Sequence, residues 1–253
     1  WEERTSCKDL TDGLTNMTPS TKAQRSWEAP VHDTTQHNLL VQSNFNGLED
    51  MARIKSAFHP TSGYWLNALP ATQLSTLLDD ESFRICCAIR LGCLATATFS
   101  CTGCGKDVIS EPPRHLGLHA LSCKKSAGRH PRHSAVVNVI LRALRSADYP
   151  SVREPPGLLS DDGKKRPDFA TQIPFDKGRC LAGDFTCRDT FAPSYLPRTS
   201  AVAGQAAAEA ERHKMGHYSR ISATHIFIPV AVETGGIWGQ HAIDFINVLG
   251  GRL

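Results

Sequence analysis

Three cysteines and one histidine between positions 101 and 123 have the types and spacing of metal ligands. Cys101 and Cys104 form a Cys-x-x-Cys pair followed by glycine. The two-residue spacing lets both thiolates reach one ion, and backbone N–H groups of the turn stabilise their negative charge. His119 and Cys123 are four positions apart, so both project from one side of a helical turn. The four residues predict a structural Zn²⁺ site, a zinc knuckle that cannot fold without its metal. His115 is the competing ligand, and we prefer His119 because His115 follows the loop-like sequence EPPR.

Two aspartates further along the chain suggest a second kind of chemistry. Asp168 follows a proline at the start of one predicted strand, and Asp184 lies near the end of the next. A hairpin turning near Lys177 would bring the carboxylates side by side, where they repel each other unless a divalent cation lies between them. Such a pair suits phosphodiester hydrolysis with Mg²⁺. The alternative is that both are turn or edge residues on a solvated face, because Pro-Asp dipeptides are frequent.

Three further polar side chains are candidates for the same site. Glu154, on the preceding predicted strand, could supply a third carboxylate. Lys214 and Tyr218 lie four positions apart on an alanine-rich helix that would pack across the hairpin. We therefore include all three among the candidate catalytic residues.

Basic residues are clustered although the net charge of the chain is only +3. Such clusters are either solvated surface or phosphate-binding faces for nucleic acid. The candidates are Lys124, Lys125, Arg129 and Arg132 in a segment without acidic residues, and Lys164, Lys165 and Arg166 in a second cluster.

The elements predicted from residue 133 onward are helix, strand, strand, strand, helix, strand and helix. The turn sequence DKGR joins the second and third strands, the alanine-rich helix takes Thr199 or Ser200 as its N-cap, and the last helix ends at Gly250. This order is that of the restriction-endonuclease-like fold, whose PD-(D/E)xK motif lies on such a hairpin. The predicted fold class is therefore α/β, restriction-endonuclease-like, preceded by a small zinc knuckle and a helical linker.

Composition and patterning divide the chain into four segments. We predict a loosely ordered polar tether over 1–46, a helical linker over 47–98, the zinc knuckle over 99–132 and the endonuclease-like domain over 133–253. No apolar run approaches the roughly 18 residues of a membrane span, so we expect no membrane partner. Nine cysteines without secretory features indicate a reducing, intracellular compartment.

An ordered set of short motifs resembles the C-terminal region of certain non-long-terminal-repeat retrotransposon polyproteins. In that family a reverse transcriptase is followed by a zinc knuckle and a restriction-like endonuclease, and the likeness runs from about residue 26 to the end. The motifs are SGYWLNALP, DDESFRI, IRLG, GLHALSC, GRHPRH, DGKKRPD, GDFTCRDTFAPS and FIPVAVETGGIWG.

The resemblance implies an endonuclease that nicks target DNA and so supplies a 3′-hydroxyl for primed reverse transcription. It implies DNA and the element's RNA as partners, together with an upstream reverse-transcriptase region, in the nucleus. By the motif match, Asp168 and Asp184 would hold Mg²⁺, and Lys214 would be a displaced catalytic lysine with Tyr218 beside it.

Two departures from that family bear on activity. The position two after Asp184 is Thr186 rather than the lysine of the motif, and the chain has no Tyr-x-Asp-Asp polymerase motif. The alternative interpretation is therefore a catalytically inactive nucleic-acid-binding fragment or a repurposed retroelement domain.

Overall fold

The structure, a computed structural model, describes residues 23–42, 47–74, 76–108, 118–158 and 166–253. The chain divides into two compact units, Trp1–Gly47 and Leu48–Leu253. In the first unit, helix α1 spans Ala23–Gln42. These residues are therefore helical rather than the loosely ordered tether that we predicted, although Pro30 lies inside the helix. The rest of the predicted tether, residues 1–22 and 43–46, lies outside the described residues.

The second unit begins with helical elements, as predicted for the linker segment. Helix α2 spans Leu48–Phe58, a 3₁₀ helix spans Pro60–Asn67, and helix α3 spans Asp80–Leu91. The Asp79 side chain caps α3 by accepting a hydrogen bond from the Ser82 N–H at 2.8 Å. A two-stranded antiparallel hairpin follows, with β1 over Phe99–Ser100 and β2 over Asp107–Val108, and then the single-turn helix α4 over His119–Ser122.

The larger sheet is mixed and has the order β3-β4-β5-β6. Strands β3, β4 and β5 pair antiparallel, whereas β6 runs parallel to β5 over the full length of both. The strands span Ser151–Arg153, Phe169–Thr171, Leu181–Arg188 and Ile226–Glu233. The helices of this part are α5 over Arg129–Ser146, α6 over Leu196–Thr199, α7 over Gln205–His217 and α8 over Gln240–Gly250, with a 3₁₀ turn over Ile221–Ala223. The fold class is thus α/β, and the predicted elements occur in the predicted order, with the short helix α6 and the 3₁₀ turn in addition between β5 and β6.

The sheet is covered by helices on both faces. Alternate residues of a strand point to opposite faces, and along β5 Leu181 and Phe185 join the core beneath α5 and α8. Ala182 joins the cluster on the other face, which includes Tyr218 after the end of α7. Asp184 is in phase with Ala182, so the strand period directs it toward α7. None of the described helices is long and apolar enough to cross a membrane.

Two predicted helix starts are wrong. Helix α5 begins at Arg129 rather than His133, so the predicted boundary between residues 132 and 133 falls inside a helix. Helix α7 begins after Gly204 rather than after the predicted N-cap Thr199 or Ser200. Gly204 has a φ of 83°, a left-handed conformation that separates α7 from the turns before it. Thr199 belongs to α6, and its hydroxyl donates to the Thr190 carbonyl at 2.7 Å instead of capping α7.

Helix α7 is anchored to the sheet through a buried carboxylate at the end of β6. Glu233 is 2% exposed and accepts hydrogen bonds from the N–H groups of Ala206 at 2.8 Å and Ala207 at 3.1 Å. The Thr190 hydroxyl donates to the other carboxylate oxygen at 3.1 Å. Because the first N–H groups of a helix have no partner within it, Glu233 satisfies donors that would otherwise be buried and unpaired.

Replacing Glu233 with Ala should destabilise the fold by about 3 kcal/mol, because it leaves two buried N–H groups without an acceptor. Glu233→Gln keeps an acceptor of the same shape and should cost markedly less. Denaturant unfolding of both variants measures the difference. Equal, small losses for the two substitutions would contradict this role for Glu233.

The same residue should make stability depend on pH. Burial raises the pKa of the Glu233 carboxyl above its ordinary value of 4.5. The folded chain then binds this proton more tightly than the unfolded chain, so the contribution to stability is complete below pH 4.5 and is lost as the pH rises through the raised pKa. Glu233→Gln should flatten the profile of unfolding free energy against pH in the range above pH 4.5. An unchanged profile would contradict the role of Glu233 in this pH dependence.

Candidate functional site

The register of the β4–β5 hairpin brings the two aspartates opposite each other. Phe169 pairs with Gly183, and the same register extended by one residue places Asp168 across from Asp184. The hairpin closes at residues 176–179, where an isolated bridge joins Asp176 to Arg179. The predicted hairpin is therefore confirmed, and both carboxylates lie at the same end of the sheet.

Asp184 is a buried carboxylate with two partners from α7 and its C-terminus. The Lys214 Nζ lies 2.6 Å from Oδ1, and the Tyr218 hydroxyl donates to Oδ2 at 2.7 Å. The Asp184 side chain is only 6% exposed. Burial, and then the charge of Asp168, raise the pKa of Asp184, against the opposing effects of Lys214 and Tyr218. Burial and the neighbouring Asp184 also raise the pKa of the Tyr218 hydroxyl, which therefore remains a hydrogen-bond donor.

Asp168 is held by a different element. Its Oδ2 accepts the backbone N–H of Phe185 at 2.6 Å and lies 3.1 Å from Nε2 of His133 on α5. The hydrogen bond to Asp168 raises the pKa of the His133 imidazole. His133 ends the motif GRHPRH of the family resemblance but was not predicted as a site residue. It reaches the site because the first turns of α5 pack near the start of β4.

Asp168 and Asp184 line a polar cleft with a volume of about 330 Å³. Arg129 and Arg132 of the first basic cluster line it, and so does Thr186 at the position of the motif lysine. Arg188, near the end of β5, lines it as well and was not predicted. Two sequence signals could have indicated it: Arg188 lies in the motif GDFTCRDTFAPS, and its even spacing from Asp184 and Thr186 puts all three on one face of a strand.

Glu154 does not belong to this cleft, and its prediction as a third carboxylate is wrong. It lies one residue beyond β3 with a φ of 46°, a left-handed conformation, and its side chain is 60% exposed. Its carboxylate lies 3.6 Å from Nε of Arg153, whereas only its backbone N–H contacts Asp168, by donating to the carbonyl at 3.0 Å. The left-handed turn and the following Pro155 end the strand before the side chain can point into the cleft.

The other basic residues lie in different places. Lys124 and Lys125 are exposed directly after the Cys-His cluster and do not line the cleft. Arg166 is exposed, and its carbonyl accepts a hydrogen bond from the Tyr218 hydroxyl at 2.9 Å. Lys164 and Lys165 lie outside the described residues. Phosphate binding by these residues stays a prediction.

The predicted Cys-His cluster forms a second candidate site. The ligand atoms of Cys101, Cys104, His119 and Cys123 all lie within 4.8 Å of one another. Cys101 Sγ is 3.8 Å from Cys123 Sγ, and Cys104 Sγ is 3.2 Å from His119 Nε2. The cluster could therefore hold a metal such as zinc. The competing ligand His115 lies outside the described residues.

The turn after Cys101 favours the thiolate form of this residue, which is the form that binds metals. Hydrogen bonds from the backbone N–H groups of Cys104 and Gly103 lower the pKa of the Cys101 thiol to about 6. A Cβ at Gly103 would lie 2.6 Å from the Lys125 carbonyl oxygen, so only glycine lets the turn approach the segment after Cys123 this closely. The chain thus builds a site suited to thiolate ligands.

No protein-family model matches the chain, and a comparison with curated proteins found no match. The function must therefore be inferred from the residues and their geometry.

Proposed function

We propose that the chain is a retrotransposon-derived, divalent-metal-dependent DNA endonuclease. It would nick target DNA in the nucleus for primed reverse transcription, with DNA, the element's RNA and an upstream reverse-transcriptase region as partners. The observation that carries the proposal is the opposition of Asp168 and Asp184, with Lys214 2.6 Å from one of the carboxylate oxygens.

The arrangement of the strands supports a restriction-endonuclease-like fold. The sheet has three antiparallel strands followed by one parallel strand, and the aspartates lie on the central hairpin β4–β5. Helix α5 precedes this sheet, α7 and the short α6 lie between β5 and β6, and α8 follows. This is the topology that the resemblance to retrotransposon polyproteins implies.

The donor set fits a hard divalent cation. Asp184 is buried beside the charge of Asp168, and that charge contributes to its raised pKa, a repulsion that a bound cation would relieve. Asp168 and Asp184 would hold Mg²⁺, which would supply charge neutralisation and a more acidic water. Tyr218 orients the Asp184 carboxylate through its hydroxyl. Lys214 brings a positive charge to the place where negative charge would develop on the phosphate.

The zinc knuckle and the basic segment support a nucleic-acid partner. Cys123 is followed directly by the exposed Lys124 and Lys125, and the helix after them carries Arg129 and Arg132 to the cleft. A path of positive charge thus leads from the metal centre to the carboxylates. Such a path would contribute affinity that does not depend on DNA sequence.

An inactive nucleic-acid-binding domain is the second candidate function. Thr186 stands where the motif has lysine, and in this structure each carboxylate already has a nitrogen partner, in His133 or Lys214. A plasmid-nicking assay separates the two functions. We expect the chain to convert supercoiled plasmid to the nicked form with Mg²⁺ or Mn²⁺ and not with EDTA. DNA binding without nicking under any of these conditions would favour the inactive domain.

The Lys214→Ala variant should nick roughly 10²-fold more slowly, because the site loses a preorganised positive charge. The Mg²⁺ concentration for half-maximal rate should not rise, since an ammonium that pairs with Asp184 is removed. Arg212→Ala is the matched control, because Arg212 is exposed on the same helix and does not line the cleft. A normal rate for Lys214→Ala would contradict the role.

A further inference from the structure

The cleft contains more positive charge than its carboxylates balance. Lys214 pairs with Asp184, and His133 contacts Asp168. The guanidinium groups that line the cleft form no ion pair with a carboxylate in the part of the chain that the structure describes; they belong to Arg129, Arg132 and Arg188. A divalent cation bound by the two carboxylates would add to this excess of positive charge. The unpaired guanidinium groups therefore indicate an anionic occupant of the cleft.

Arg188 is the most constrained of these three residues. Its Nε is buried and has no hydrogen-bond partner among the described residues. Its guanidinium carbon lies 5.9 Å from the centre of the Tyr195 ring, which limits its orientation. A buried donor without an acceptor is costly, and the rest of the half-buried Arg188 side chain lines a polar cleft in which an anionic ligand can supply acceptors to the guanidinium.

The strand sets the distance between Arg188 and the carboxylates. Arg188 lies four residues after Asp184 on β5, with the same side-chain phase. Four residues of a strand span about 13 Å. This backbone separation places the Arg188 guanidinium to one side of the carboxylates in the same cleft, which favours contact with a neighbouring phosphate of the DNA strand over the phosphate held between the carboxylates.

We propose that Arg188 is a positioning residue that binds a backbone phosphate of duplex DNA next to the one that is cut. The proposal rests on the proposed endonuclease function. It adds where the DNA strand lies in the cleft, with the phosphate next to the one that is cut at Arg188. Arginine suits this position because its planar donors can bind two oxygens of one phosphate, which a lysine cannot do.

The test measures duplex binding in EDTA over 50 to 200 mM salt, so that no cleavage is needed. We expect Arg188→Ala to bind about tenfold more weakly and to reduce the slope of log K against log salt by about 0.9. Arg188→Lys should keep the slope but nick more slowly than the parent when Mg²⁺ is added, because the charge remains and the two-oxygen contact is lost. Thermal unfolding of each variant verifies that it is folded.

Arg198→Ala is the matched control. Arg198 contacts the same Tyr195 ring, at 5.7 Å, and pairs with Glu209, but it does not line the cleft. Its removal should leave the slope unchanged. A parent chain that binds but never nicks would refute the endonuclease while leaving the Arg188 contact intact. An unchanged slope in Arg188→Ala, with a parent that nicks, would overturn the Arg188 inference alone, and a parent without duplex affinity would overturn both.

Discussion

Replacing Asp168 or Asp184 with Asn should reduce the rate of plasmid nicking by about two to four orders of magnitude. Each substitution removes one negative charge from the pair that would hold Mg²⁺ but keeps the size of the side chain. In Asp168→Asn the new amide would still present an oxygen to the Phe185 N–H. In Asp184→Asn its oxygen would accept from the Tyr218 hydroxyl, and the flexible Lys214 side chain would turn away from the new NH₂ group, so the fold around the site should persist. Duplex binding in EDTA should be retained, because it depends on the basic residues.

The matched control for both variants is Asp176→Asn. Asp176 lies in the closing turn of the same hairpin, is exposed, and does not line the cleft. Its nicking rate should equal that of the parent chain. If Asp168→Asn and Asp184→Asn lost stability but nicked at the parent rate, the two aspartates would be architectural and the proposed endonuclease would be refuted.

Removing the metal from the Cys-His cluster should unfold the zinc knuckle and leave the α/β part folded. The apparent free energy of zinc binding to such sites is on the order of 10 kcal/mol. The described part of the segment has a small core of Cys101, Val108 and Cys123 with Phe99 packed against it. We expect one zinc per chain. Chelation should abolish hydrogen-exchange protection in β1, β2 and α4 while protection in β5 and β6 persists.

The ligand set can be tested with Co²⁺ in the full chain. The Cys123→Ser variant should weaken thiolate-to-cobalt absorption and metal affinity, whereas Cys93→Ser should change neither, because Cys93 is exposed and lies outside the cluster. His119→Ala should also lose affinity. Cobalt binding without thiolate absorption, or a Cys123→Ser variant equal to the parent, would contradict the knuckle.

Short-range patterns predicted the parts of the two sites that depend on neighbouring residues. Asp168 and Asp184 are separated by a single hairpin, so the strand period and the turn sequence were enough to bring them together. The same is true of His119 and Cys123, whose separation is one helical turn. The apolar stripe of α5 and the apolar strand β6 also appear in the local pattern, which is why the order of elements could be predicted.

Tertiary structure decided which distant side chains complete the cleft. His133 reaches Asp168 across 35 positions of the chain, and Arg129 and Arg132 line the cleft with it because they lie on the same helix, α5. Glu154 was excluded by a left-handed backbone conformation that no pattern of residue types indicated. The start of α7 at Gln205 depended on Gly204 and on the hydrogen bond from the Thr199 hydroxyl to the Thr190 carbonyl. Hairpin and helix periods determine local spacing, whereas contacts between elements depend on how their buried faces pack, and that packing involves residues far apart in the chain.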